Sequence, residues 1–403
     1  MKDLSDILNE RAAKDRVAVN VKDFGAKGDG VTDDRAAIQA ALDSGANDIN
    51  FPVGDYAVSG TLLVGSDICL HLSRCTRLIL KGGERKRRGD FLISNKNPKE
   101  GNSNITIAGG IFDGNNTDPA NAKPDIFDKD GYSGAVMNFV GVDGLNLMDI
   151  TVANSTTYYI RMSRVDHFFI RDINFVSDFF GHNQDGIHIG GGVRNGVITN
   201  IRALSVGQTN DDMIAFNADD SVERVENLDL ERDAIENIIV NKVYAANCYT
   251  VFRMLSVDAP IRNIQIKDVY AGYRNYAINA DAARYCKTPL FREEDRPLGV
   301  GSIENVEINN FTCYPVFDAP KNNPAGQVNP SYAIRLECHA DNFVIKNFRM
   351  SEVPGRARAH ALLVANTPGV KAMADGREYE AREKTDRILI DSFSELKITG
   401  GLR

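Results

Sequence analysis

The sequence predicts an all-β solenoid, a parallel β-helix, on three observations. A six-residue pattern recurs along the chain: apolar, any, apolar, any, Asp or Asn, apolar. No long helical pattern lies between its copies, and parallel strands need crossovers of a dozen residues or more. A single short amphipathic segment near the start suits an end cap, which open solenoids require.

The pattern appears as LNLMDI ending at Ile150, FFIRDI at Ile173 and GVITNI at Ile201. It returns as IQIKDV ending at Val269, VEINNF at Phe311 and FVIKNF at Phe348, while IIVNKV ending at Val243 keeps the apolar spacing with a lysine. The polar slots are Asp149, Asp172, Asn200, Lys242, Asp268, Asn310 and Asn347, separated by 23, 28, 42, 26, 42 and 37 residues. The short intervals give the size of one coil; the long ones imply inserted loops or an unmarked coil. Hairpin turns between alternating strands, the mark of a β-sandwich, are sparse. The cap is read in TDDRAAIQAALDSG, a helix over about 32–44 with Thr32 as N-cap, Asp33 and Asp34 in its first turn, an apolar stripe of Ile38, Ala41 and Leu42, and Gly45 as its stop. Residues 1–17 read as a helical extension and 18–403 as one β-helix catalytic domain, with long loops at about 115–134 and 281–301.

Composition narrows the partners. The 403 residues carry 47 Lys and Arg against 55 Asp and Glu, a net charge of -8, so nucleic acid is not an expected partner. No apolar run is long enough for a membrane helix. The opening residues lack the apolar core of a leader, which points to the cytoplasm for the chain as it stands, or to secretion or the periplasm if a leader has been removed. The six cysteines show no metal spacing and read as buried small hydrophobes. ERKRR at 84–88 is a basic run, either a solvated loop or a contact for a polyanionic glycan or an adjacent subunit, and a homo-oligomer stays open.

The stretch VNVKDFGAKGDGVTDDRAAIQAAL resembles the opening of pectin-lyase-like β-helix proteins, and the ordered landmarks GGIFDGN at 109–115, NQDGIHI at 183–189 and NDDMIAF at 210–216 resemble the polygalacturonases, glycoside hydrolase family 28. The resemblance spans about 18–350 and implies a single-stranded right-handed parallel β-helix that cleaves glycosidic bonds. Two motifs of that family are missing. NCYTVFRMLS stands where it has Gly-His-Gly, and NYAINAD where it has the uronate-binding Arg-x-Lys. Plain polygalacturonate is therefore not the expected substrate.

The spacing carries its own chemistry. Asp211 and Asp212 follow Asp185 by 26 and 27 residues, one coil, so the three carboxylates can converge on one patch. Inverting glycosidases need a protonated carboxyl and an ionised one, about 6.5–9.5 Å apart, with a water between. The resemblance implies that Asp211 is the general acid and that Asp185 and Asp212 hold the attacking water. It also matches Asn183 to the family's Asn and His188 to its third Asp. These two, with Tyr249 and Arg253 in the following coil and His182 more weakly, are the candidate substrate contacts. Each has a structural counterpart reading as turn, packing or ion-pair residue. No cofactor is expected for hydrolysis. Two other classes remain: a uronate lyase or epimerase, in which the aspartates would bind Ca²⁺ and Arg253 would act as base or charge stabiliser, and a non-catalytic glycan-binding adhesin of the tail-fibre kind.

Overall fold

The computed structural model describes residues 16–81, 91–116, 135–181, 183–219, 231–282, 301–321 and 327–401. The expected extension up to residue 15, the basic run, His182 and the bulk of both long loops lie outside the described residues.

The described residues form 25 strands in one continuous sheet wound into parallel coils. The recurring hexapeptide explains the winding. Its last apolar residue stacks coil on coil: Ile150 pairs with Ile173, then Ile201, Val243, Val269, Phe311 and Phe348. All seven are buried, so each copy of the pattern adds one layer to the same core. The polar residue before it turns a corner in the left-handed region, with φ of 60° at Asp149, 58° at Asn200 and 52° at Asn347. Asp and Asn tolerate that conformation better than other non-glycine residues; Lys242, at 57°, adopts it as well. The long intervals are thus single coils with inserted loops.

A second corner carries an asparagine ladder. Asn195, Asn237, Asn263, Asn305 and Asn342 have φ between 52° and 59°. Each amide nitrogen donates to the side-chain oxygen of the preceding coil, at 3.0 Å for Asn237, 2.9 Å for Asn263, 3.3 Å for Asn305 and 3.0 Å for Asn342.

At the N-terminal end a helix runs Arg35–Leu42, with Ile38, Ala41 and Leu42 buried. It is shorter than expected, and its N-cap position is Asp34 rather than Thr32. Thr32 lies in the strand Asp29–Asp33 and bonds Asp29 instead. The Asp34 carboxylate accepts from the backbone of Lys27 and Gly28, which holds the preceding loop. At the other end, Ile388–Ile390 and Leu396–Gly400 run antiparallel to strands of the last coils. Of the cysteines, Cys248, Cys313 and Cys338 are buried, whereas Cys69 is half-buried and Cys75 exposed, contrary to the buried reading. Among the described residues no helix is long and apolar enough to cross a membrane.

Candidate active site

The strands Ile160–Val176, Ile187–Ile189, Asp212–Asn217, Ile235–Leu255, Ile261–Asp281 and Tyr332–Glu337 lie side by side and build the site. Their in-register partners form one outward column: Arg161, His188, Ala215, Arg253, Asn279, Arg335. Isoleucines 187 and 189 point into the core, so His188 between them points out. Three residues before it, Asp185 closes the turn that enters the strand, and Asp212 opens the next strand.

The structure brings Asp185, Asp211 and Asp212 together, each offering an oxygen within 4.8 Å of the others. This is a distance between single oxygens, whereas the roughly 6.5–9.5 Å of an inverting pair separates whole carboxyl groups. Asp211 and Asp212 are chain neighbours one ladder step from Asp185, which is what brings the three oxygens together.

Burial separates the three. Asp212 is 4% exposed, Asp185 3%, and Asp211 half-buried. Burial, and then the neighbouring Asp211, push the Asp212 carboxyl up to about 8. The Arg253 guanidinium, 3.9 Å away, opposes this but does not win: its Nε is committed to Asp281 at 2.9 Å. Asp281 itself adds a further push on Asp212. Asp212 is thus a neutral acid near neutral pH.

The other candidates are placed as follows. His188 Nδ1 meets Asp185 Oδ2 at 2.5 Å, and the Tyr158 ring stacks on its imidazole with centroids 4.0 Å apart. Arg253 stands beside Asp212, one coil on. Tyr249 is on the flank: its hydroxyl donates to Gln327 at 2.9 Å. Asn183 takes φ 55°, a turn conformation, at the edge.

Sequence reasoning missed Arg274, Asn279, Asp281 and Tyr158. Arg274 is fully buried, its guanidinium pKa lowered by burial. It donates to Gly207 O at 3.1 Å and Asn210 Oδ1 at 3.0 Å, and lies 5.7 Å from the Tyr249 ring centroid. It braces the turn that delivers Asp211. The signal was an arginine beside buried apolar residues in GYRNYAINAD, one coil after Arg253.

Ca²⁺ takes six to eight oxygen ligands. Here Asp185 is bonded to an imidazole and Asp212 faces a guanidinium. The three carboxylates are near enough to one another to share a cation.

A sheet wound into parallel coils in this way is the fold of the pectin-lyase-like β-helix proteins. The chain belongs to the rhamnogalacturonase A/epimerase, pectate lyase-like family, whose model matches residues 18–274. That assignment is broader than the glycoside hydrolase family 28 resemblance. Among solved structures, the iota-carrageenase of family GH82 from A. fortis is 13% identical with a TM-score of 0.62, covering 87% of this chain and 90% of that one. The family 28 exopolygalacturonase of Yersinia enterocolitica is 19% identical with a TM-score of 0.52, covering 86% and 77%. At these identities the likeness shows the fold. Plasmin and fibronectin-binding protein A of Streptococcus pneumoniae is 28% identical over 210 residues, 49% of this chain and 26% of that protein. Other matches are named as an alginate lyase, mannuronan C5-epimerases and phage appendage proteins. The chain spans only 11% of the phage proteins' length.

Proposed function

We propose that the chain is a glycoside hydrolase acting on an acidic polysaccharide other than plain polygalacturonate. The observation that carries this is the pairing of a buried, protonated Asp212 with two further carboxylates within 4.8 Å. Hydrolysis needs a proton donor at the glycosidic oxygen and a carboxylate that takes a proton from water. Asp212 supplies the first. As the C1–O bond breaks, its proton passes to the leaving oxygen. Asp185 and Asp211 hold the water whose oxygen bonds C1 and whose proton passes to a carboxylate. Burial supports the acid role for Asp212 rather than for Asp211, because the half-buried Asp211 keeps more access to solvent. His188 fixes the Asp185 carboxylate, and Arg253 faces Asp212 from the next coil.

Two tests decide it. Reducing ends should appear from at least one acidic glycan without the absorbance near about 235 nm of an unsaturated product, the mark of C5 proton abstraction. On an activated aryl glycoside, which needs less protonation, Asp212→Asn should recover activity while Asp185→Asn and Asp211→Asn should not. Recovery by Asp211→Asn alone would return the acid role to Asp211.

A second reading, glycan binding without turnover, is favoured by the structural likeness to PfbA, a surface adhesin of Streptococcus pneumoniae, over 95% of this chain at 12% identity and a TM-score of 0.50. Binding that survives all three Asp→Asn changes, with no product from any glycan, would establish it.

A further inference from the structure

On the sheet adjoining the candidate site, a second outward column runs Arg202, Tyr244, Tyr270, Thr312, Arg349, each in register with the next. Tyr244 and Tyr270 are 42% and 51% exposed, their ring planes within 6° of parallel and their centroids 6.0 Å apart. Tyr314 joins them, 5.7 Å from Tyr270. Its hydroxyl donates to Ala246 O at 2.8 Å, and the ring crosses Gly272, where a Cβ would stand 2.6 Å from it. Glycine at 272 therefore makes the room in which Tyr314 lies. Three adjacent tyrosines on an outward sheet face, two of them this exposed, form a surface with a use. Arg202 and Arg349 are both exposed and bracket the tyrosines, although the register itself runs on from Arg202 to Asn174.

We propose that this strip is a second binding site, separate from the carboxylates, for an acidic polysaccharide lying along the solenoid axis. The proposal rests on the carbohydrate reading above for the class of its ligand. Tyrosine rings offer apolar faces to the C–H faces of sugars and hydroxyl rims to sugar hydroxyls. Arginine forks match carboxylate and sulfate groups. The column repeats at the coil spacing of ~4.8 Å, about one sugar unit, and its two arginines are four steps apart, roughly 19 Å. A second copy of the chain is a poorer occupant. A two-fold contact centred on the strip would set Arg202 against the partner copy's Arg349, and like charges in contact are costly. The strip is also continuous with the site: the turn after Tyr244 leads to Thr250, the ladder partner of Asp212. A polymer held on the strip is thereby kept beside the carboxylates.

Retardation in native gels cast with polygalacturonate, alginate or iota-carrageenan, with dextran as the neutral control, tests the strip. Wild type should be slowed by at least one acidic polymer and not by dextran. Y244A/Y270A should bind that polymer at least about tenfold more weakly with an unchanged melting temperature, whereas Y244F/Y270F, which keeps the ring faces, should stay close to wild type. D212N should lose hydrolysis and keep retardation, so that failure of the catalytic reading and failure of the strip are read separately. Equal retardation of wild type and Y244A/Y270A overturns the proposal. So does the absence of retardation of wild type in all three acidic gels. A wild-type dimer that Y244A/Y270A converts to monomer overturns it too, in favour of a self-interface.

Discussion

Two polar columns run along the same coils and obey opposite rules. In the asparagine corner each amide donates to the oxygen of the coil before it, so the column closes its own hydrogen bonds. In the site column three arginines, Arg161, Arg253 and Arg335, are interspersed with His188, Ala215 and Asn279, and of its five polar residues four are less than a tenth exposed. The Asn279 side-chain oxygen is buried with no hydrogen-bond partner. Identical neighbours stack and satisfy each other; unlike neighbours at close quarters shift one another's proton affinity. The corner column serves the stack, and the site column holds buried polar groups that the stack does not need.

The largest expected effect separates the two directly. Asp212→Asn should lower turnover by at least about 10²–10⁴, read as reducing-end release, while leaving the melting temperature equal or higher, because a buried carboxyl that resists ionisation is replaced by a neutral isostere. A site-column change that unfolded the protein without touching turnover per folded molecule would erase the contrast.

The next effect is on pH. The Asp212 pKa in the folded state is about 8 against 3.8 for a free aspartate, so the folded chain binds the extra proton between those limits. Stability should therefore be greatest at the acidic end of that window and fall as pH rises towards about 8. Urea midpoints across the window should lose that slope in Asp212→Asn. A residual fall confined to pH below about 6 should persist there, because burial also raises Asp219, to about 6. Turnover in the wild type should decline above about pH 8, as the acid loses its proton.

Arg274→Met sharpens the comparison from the side. It should lower turnover by about tenfold by releasing Asn210 and the turn before Asp211, with the aryl-glycoside rescue pattern of wild type retained.

The smallest effect belongs to the corner. Asn263→Ala should cost about 1–2 kcal/mol in chemical unfolding, from two ladder bonds and a left-handed backbone without its preferred residue, and should leave turnover unchanged. Asn263→Gly loses the same amide but keeps the backbone conformation, so it should cost less.

The wound sheet was legible in the sequence because every coil repeats the same apolar positions, and the seven stacked residues from Ile150 to Phe348 are the ends of the seven hexapeptides. The meeting of Asp185 with Asp211 and Asp212 was legible from one coil of spacing. Their unequal burial was not, since it depends on which residue opens the strand, and it is on this burial that the acid role is proposed for Asp212. Arg274 and Asp281 were missed because their work lies across coils, with Asn210 and Arg253, and no local pattern marks a contact at that separation.

The antiparallel strands at the C-terminal end have a consequence for growth. A stack of parallel coils ends in two complementary rows of backbone groups, which is the geometry of a linear polymer: one molecule's last coil could seat another's first. Leu396–Gly400 occupies the edge beside the last coils with reversed polarity and is itself paired on both sides, with residues 343–345 and with Val370–Ala374. A reversed strand cannot pass the parallel register on to a newcomer.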